Sequence, residues 1–296
     1  VGAWWSGDVN IARRPEELAE ARRAVAIGTF DGVHLGHRRV IEAARAAHLR
    51  PAVVTFDPHP RVILGNRVQL LTTTRRRLEL FEELGVEDVL LLRFDAALAA
   101  LAPEEFAVSV LGAIGAEVVT AGDGFRFGRG RSGDLDLLER LGFDVRHVPL
   151  VENVSSSHVR RLLATGDVAR AAKLLGRPAE VEGTVVLGDQ RGGTLGFPTA
   201  NLAVPPDLLV PALGIYAGEA LGHRAAISIG TNPHYGGTER RVEAYLLDFE
   251  GDLYDERLVV QLWERLRDEA AFGSEAELVA AIENDVQRAR AARRPV

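Results

Sequence analysis

The chain has 296 residues, 47% hydrophobic and 26% charged, which is enough apolar material for two separate cores. It contains no cysteine, which excludes disulfides, a thiolate nucleophile and a cysteine-ligated metal and suits a reducing compartment. The formal net charge of -7 argues against a broad basic face for nucleic acid or anionic membrane, and no apolar run approaches the roughly 20 residues that span a bilayer. With no basic segment leading into an apolar one at the start, the expectation is a soluble cytoplasmic protein with no nucleic-acid or membrane partner, whose anion sites are local.

In chain order, apolar strands alternate with helical segments through the first half. The strand candidates are "AVAIGTF", "PAVVTF", "EDVLLLRF", "AEVVTA" and "FDVRHVPL". Between them the spacing predicts helices near Arg39 to His48, Thr74 to Leu84, Pro103 to Ile114 and Asp134 to Leu141. That alternation predicts a parallel sheet covered by helices, a Rossmann-like α/β domain. Two further helices, Ser157 to Ala164 and Asp167 to Leu175, are expected to finish this domain. "GRP" at Gly176 to Pro178 then marks a boundary, because Gly ends a helix and Pro prevents its return.

Beyond it the pattern changes. "EVEGTVVL", "GIYAGEAL", "RAAISIG", "RRVEAYLLDF" and "ERLVVQLW" alternate like antiparallel strands split by turn residues, and a last helix runs from about Ser274 to Ala292. The reading is two domains, 1–178 and 179–296, the second a small antiparallel β-barrel with a C-terminal helix.

The stretch richest in chemistry is "AVAIGTFDGVHLGHRRVIEAA", from Ala24 to Ala44, where His34 and His37 sit at a strand-to-helix crossover. Glycines 28, 32 and 36 are expected to let backbone amides approach a phosphate, and a helix beginning near His37 adds partial positive charge. Two histidines three positions apart are then placed to stabilise charge developing on phosphorus without a covalent bond. A glycine-rich turn with two surface histidines is the alternative that the stretch alone leaves open.

"GTFDGVHLGH" resembles the nucleotide-binding signature G-x-F-D-G-x-H-x-G-H of bacterial bifunctional riboflavin kinase/FMN adenylyltransferases, the FAD synthetases. "VVTFDPHP", "SSSHVR", "LLGRP", "LGFPTAN" and "RLRDEAAF" are similar to later stretches of that family, in the same order across nearly the whole chain. The resemblance implies a nucleotidyltransferase domain followed by a riboflavin kinase domain. Its substrates and products are ATP, riboflavin, FMN and FAD, with Mg²⁺ as cofactor. It implies that Gly28, Phe30, Asp31 and Gly36 of the signature line the nucleotide site.

Read as chemistry, "SSSHVRRLL" places Ser156, Ser157 and Arg160 at a helix start, which suits a triphosphate and equally suits an ordinary cap with a solvated arginine. In the family the matching S-S-T-x-x-R segment is implied to hold ATP. Phe56 and Phe127 lie beside turns, where aromatic rings belong to the core more often than to a ligand; the resemblance implies contact with flavin. Gly124 departs from the family, whose members usually carry Asp or Asn there, and the resemblance implies that a side chain expected to hydrogen-bond the flavin is missing, which bears on adenylylation efficiency.

In "GGTLGFPTANL", Thr199 and Asn201 are oxygen donors suited to a hard cation, although a strand start with a turn asparagine explains them as well. The resemblance implies that this segment, Gly196 included, binds Mg-ATP for the kinase reaction, with Thr199 and Asn201 at the metal. Glu243 reads alone as an exposed strand carboxylate. The resemblance implies that it is the base for the riboflavin 5′-hydroxyl, and His34, His37 and Arg160 the charge-stabilising groups of adenylyl transfer. Gly193, where relatives commonly have Arg, His234 and Asp255 are further departures. Because Gly124 and Gly193 fall one in each predicted domain, retention of a single activity is an alternative reading, as is a non-catalytic flavin or nucleotide sensor. Oligomeric state is not legible in the sequence.

Overall fold

The computed structural model describes Trp5 and residues 7–188, 196–231 and 240–296. The chain forms two compact units, Val1–Val68 with Thr72–Val154, and Gln69–Leu71 with Ser155–Val296. Among the described residues no helix is long and apolar enough to cross a membrane.

The first unit is an α/β layer structure. Its elements are β1 (Asn10–Ala12), β2 (Arg23–Ile27), α1 (Leu35–Arg45), β3 (Arg50–Asp57), α2 (Pro60–Ile63), α3 (Thr74–Glu83), β4 (Asp88–Arg93), α4 (Ala96–Ala100), α5 (Pro103–Phe106), β5 (Ala116–Gly122), α6 (Leu135–Arg140) and β6 (Asp144–Val148). A π-helical stretch, Ala107–Gly112, continues α5. The six strands run parallel in the order β1-β4-β3-β2-β5-β6. Both faces are covered. Val25 and Ile27 of β2 point to one apolar cluster with Val54, Leu90 and Leu111, while Ala24 and Ala26 point to the other with Ile41, Leu78 and Phe81. This is why β2 and its neighbours read as continuous apolar runs rather than alternating ones. The chain works outward from β2 through β3 and β4, then crosses back to β5 beside β2. The turn after β2 therefore sits at a topological switch point, where open α/β sheets bind ligands.

Among its described residues the second unit contains α7 (Ser156–Ala164), α8 (Val168–Leu175), six strands and a last helix. The strands are β7 (Ala179–Val186), β8 (Ala200–Ala203), β9 (Gly214–Ala220), β10 (His223–Thr231), β11 (Arg240–Leu246) and β12 (Arg257–Arg267), closed as a barrel in the order β10-β11-β8-β7-β12-β9. All pairings are antiparallel. Alternate residues such as Val181, Leu202, Ile227, Val242 and Val260 fill the interior. The last helix, α9 (Glu275–Ala291), packs on β9 and β10 and is tied to β12 by a fork between the Arg267 guanidinium and the buried Asp285 carboxylate, with Nη2 to Oδ2 at 2.7 Å.

The helices after Val154 fall in the second compact unit. Val159, Leu162 and Leu163 of α7 and Val168, Ala171 and Leu175 of α8 are buried in the same cluster as the barrel interior. Gly176 ends α8 in a left-handed conformation, φ 70°. Local punctuation marks a helix end, whereas a compact unit is set by where the apolar faces of the two helices are buried, and here its edge falls at Ser155. One expectation is corrected: α1 begins at Leu35, earlier than the apolar periodicity of Arg39 to His48 suggests. Its first turn carries Gly36, His37 and Arg38, which have no apolar pattern to register.

Candidate active sites

His34 is the N-cap of α1. Its Nδ1 accepts the backbone N–H of His37 at 3.3 Å, so any hydrogen bond that the ring donates must come from Nε2. The two imidazoles stack with centroids 3.5 Å apart and planes 15° from parallel, and Phe30 meets the ring of His37 edge-on at 5.3 Å. Two glycines also make room for rings: a Cβ at Gly28 would lie 3.2 Å from the Phe30 ring, and one at Gly36 would lie 3.2 Å from His34 Cε1. Gly32 turns the chain at φ 82°, between Phe30 at φ 51° and Val33 at φ 39°, two residues held where L side chains are disfavoured by about 1–2 kcal/mol each.

That turn is braced from α3 and from Thr72, just ahead of its cap. Asp31 is buried and its Oδ1 accepts the Thr72 N–H at 3.3 Å, while Gly32 N–H donates to Thr72 Oγ1 at 3.2 Å. Asp31 therefore holds the turn in place. Arg77 is buried on α3 and donates from Nη1 to the Thr29 carbonyl at 2.8 Å and from Nη2 to the Phe56 carbonyl at 3.0 Å. Burial pushes its guanidinium below the ordinary arginine value, against the opposing pull of the Asp31 and Asp57 carboxylates. Neither Thr72 nor Arg77 was singled out in the sequence. The usable signal for Arg77 was its place beside Leu78 and Phe81 on the apolar face of a predicted helix.

Phe56 and Phe127 belong to one apolar cluster of the first unit, 9% and 7% exposed. Phe125 is half-buried and stacks on Phe127 with centroids 5.7 Å apart. Gly124 is exposed, and a side chain there would meet nothing within 4 Å. Ser156, Ser157 and Arg160 are on α7, in the second unit. Capping of α7 falls to Ser155, whose Oγ accepts the His158 N–H at 3.2 Å, and Arg160 Nε donates to the Gln69 carbonyl at 2.7 Å.

The barrel brings Thr199, Asn201 and Glu243 together. Asn201 on β8 faces Glu243 on β11 in register, and Thr199 Oγ1 donates to Glu243 Oε2 at 3.4 Å. The other carboxylate oxygen, Oε1, accepts from Arg241 Nη1 at 3.3 Å. Arg241 precedes Glu243 by two on the same strand and so shares its face. Asn201 is buried and donates from Nδ2 to the Thr199 carbonyl at 3.4 Å, but its Oδ1 has no hydrogen-bond partner among the described residues. An orphaned buried oxygen beside a hydroxyl and a carboxylate is the donor set that a hard divalent cation takes. Gly196 lies before this group, exposed and at φ 87°, and Phe197 packs edge-on against Tyr245 at 5.5 Å. Gly188 approaches so closely that a Cβ there would fall 2.2 Å from Asn201 Nδ2, a constraint unread in the sequence. Gly193 and His234 lie outside the described residues. Asp255, the other departure, has φ 63°, a conformation in which glycine carries no penalty.

A switch-point turn with paired histidines in a parallel α/β unit, and an oxygen cluster on a six-stranded barrel, define a nucleotidyltransferase joined to a kinase. The comparisons agree. The FAD synthetase family model matches residues 16–160 and the riboflavin kinase model matches residues 175–293. The bifunctional riboflavin kinase/FMN adenylyltransferase of Listeria monocytogenes is 35% identical over 297 residues, covering 93% of this chain and 94% of that protein. The Escherichia coli K12 protein of the same description is 36% identical over 301 residues, with 95% of each chain covered. A solved chain from Streptococcus pneumoniae, described as a macrolide-efflux protein, shares the fold with a TM-score of 0.85 at 30% identity, over 96% of this chain and 99% of that one. The chain belongs to the bifunctional riboflavin kinase/FMN adenylyltransferase family.

Proposed function

We propose that the two reactions of the family are divided between the two chemical clusters of this chain. The support is that each cluster carries the groups which one reaction needs: stacked histidines at a helix N-terminus in the first unit, and a carboxylate held beside oxygen donors in the second. The expected chemical division remains near Pro178, with adenylyl transfer before it and the kinase after it.

In the kinase reaction the riboflavin 5′-hydroxyl oxygen attacks the γ-phosphorus of ATP, and the bond to the β-bridging oxygen breaks to release ADP. Glu243 takes the hydroxyl proton. Its carboxylate is oriented at both oxygens, by Thr199 and by Arg241, so one productive rotamer is favoured before substrate arrives. Thr199 and Asn201 would hold Mg²⁺, which when bound neutralises charge on the ATP phosphates.

In the adenylylation reaction an FMN phosphate oxygen attacks the α-phosphorus of a second ATP, and pyrophosphate leaves. No protein nucleophile is required. His34 through Nε2, together with His37, offsets charge on the α-phosphate as the bonds exchange. Phe56 and Phe127 supply the apolar wall for the isoalloxazine. ATP consumption by both reactions supports a cytoplasmic location.

The test is chromatography of purified chain incubated with riboflavin and Mg-ATP, and separately with FMN and Mg-ATP. The first incubation is expected to yield FMN and then FAD, and the second FAD directly. FMN without FAD in both incubations would restrict the chain to its kinase.

A further inference from the structure

The signature turn is under backbone strain, with Phe30 and Val33 both at positive φ, yet it must place two histidine rings against a reacting phosphate. What opposes the strain comes from one short segment, Thr72 to Phe81. Thr72 is bonded to Asp31 and Gly32, Thr74 Oγ1 donates to Asp57 Oδ1 at 3.1 Å, and Arg77 grips the carbonyls of Thr29 and Phe56. Phe81, one helical turn on from Arg77, meets the Phe30 ring edge-on at 5.6 Å, and Phe30 in turn meets His37. Thr29 lies two residues past the end of β2, and Phe56 lies one residue before the end of β3. Arg77 joins the segment after β2 to the end of β3, beside the direct bond from Thr55 Oγ1 to the Thr29 carbonyl at 3.2 Å, and it does so with a planar fork whose two donors reach different carbonyls.

We propose that Arg77 is a positioning residue of the adenylyl-transfer site, fixing the ends of β2 and β3 and through them the turn that carries His34 and His37. The proposal rests on the assignment of adenylyl transfer to this turn. Arg77 touches no substrate. It acts by keeping the histidines in one arrangement, and misplacement of a catalytic group by about 1 Å costs about 10²-fold in rate. Its loss should therefore lower kcat for FMN adenylylation and leave ATP binding, measured by KM, close to unchanged.

The experiment uses the full chain with Arg77→Met, Arg77→Lys and, as a control on the same helix, the cavity variant Leu78→Ala. FMN adenylylation, riboflavin phosphorylation, thermal unfolding and amide hydrogen exchange over residues 28–37 are measured for each. Arg77→Met is expected to lower adenylylation kcat by roughly 10- to 100-fold with KM for ATP within about threefold, and Arg77→Lys to recover part of that loss. Riboflavin phosphorylation is expected to hold. Exchange across residues 28–37 should rise in Arg77→Met and stay near wild type in Leu78→Ala, even if both unfold at similar temperatures. An Arg77→Met chain with full adenylylation kcat, or a Leu78→Ala chain that loses as much, overturns the proposal. If the wild-type chain makes no FAD from FMN, the assignment of the reaction fails, and the exchange comparison alone then decides whether Arg77 holds the turn.

Discussion

Thr199, at the entrance to β8, donates its hydroxyl to Oε2 of Glu243 on β11 at 3.4 Å. This joins the residue expected at the metal to the residue expected to act as base. With Arg241 on Oε1, the carboxylate has little freedom to turn away from an incoming hydroxyl.

If Glu243 is the base, Glu243→Gln preserves shape and hydrogen bonding but cannot accept a proton. FMN formation from riboflavin should fall by roughly 10²–10⁴, while conversion of supplied FMN to FAD is untouched. Flavin binding, followed by fluorescence, should persist. A variant that phosphorylates riboflavin at nearly the wild-type rate would reduce Glu243 to a strand carboxylate and shift the chemistry to the loose transition state itself.

The converse split is expected at the other cluster. His37→Ala should remove a charge-stabilising donor and lower FAD formation from FMN by about 10²–10³, leaving FMN formation nearly intact. Equal loss of both activities would mean that the ring matters only through its packing on Phe30 and His34.

Much of this architecture was legible because it rests on periodicity. Most buried strands of the sheet are apolar runs and most barrel strands alternate, so they could be read directly, whereas the short strands β1 and β8 have too few residues to show a period. The pairing of distant residues was not legible from the residues alone. Asn201 and Glu243, named through the family resemblance, are 42 positions apart and meet only because β8 and β11 are paired in that register. Arg77 lies on the apolar face of a predicted helix, which signals burial, but its partners, the carbonyls of Thr29 and Phe56, are set only by the fold. A further use of two signature glycines was not legible, since the room they leave for the rings of Phe30 and His34 shows only in three dimensions.

The packing of α7 and α8 changes what a kinase fragment must contain. A chain starting at Ala179 removes the apolar partners Val159, Leu162, Leu163, Val168, Ala171 and Leu175 from the barrel's cluster. Loss of a single such side chain typically costs about 2–5 kcal/mol, so the Ala179–Val296 fragment should be markedly less stable than Ser155–Val296. Thermal unfolding of the two fragments checks this, and riboflavin phosphorylation by the longer one tests whether the kinase is self-contained. Equal melting temperatures would show that the two helices add nothing to the barrel.

Gly124 stands in open space with no left-handed requirement, so a larger residue can be introduced without a clash. Gly124→Asn restores the side-chain type usual in the family. One added hydrogen bond is worth about 0.5–1.5 kcal/mol, so FAD formation should rise about 2- to 12-fold, with riboflavin phosphorylation unchanged. A rate that stays at the wild-type level would show that the flavin does not reach this loop.

The last prediction concerns stability and pH. Asp88 is fully buried at the start of β4, where its carboxylate accepts from Arg23 Nε at 2.8 Å, Arg50 Nε at 2.7 Å and Asn10 Nδ2 at 3.2 Å. Burial pushes this carboxyl upward, but the hydrogen bonds from Arg50, Arg23 and Asn10 together outweigh it and hold the group below the ordinary aspartate value. A depressed value in the folded chain means that the stabilisation is fully present above the unfolded value, near pH 3.9, and is lost as pH falls through the folded one. At pH 7, Asp88→Asn leaves the buried Arg23 without its counter-charge and should cost about 3–5 kcal/mol. As pH falls below the unfolded value the unfolded chain takes up the proton first, and the gap between the two chains should narrow until the folded carboxyl is protonated as well. Denaturant unfolding of both at pH 7 and pH 3 measures the gap. A difference that is independent of pH would show that the cluster acts through packing and neutral hydrogen bonds, not through the charge of Asp88.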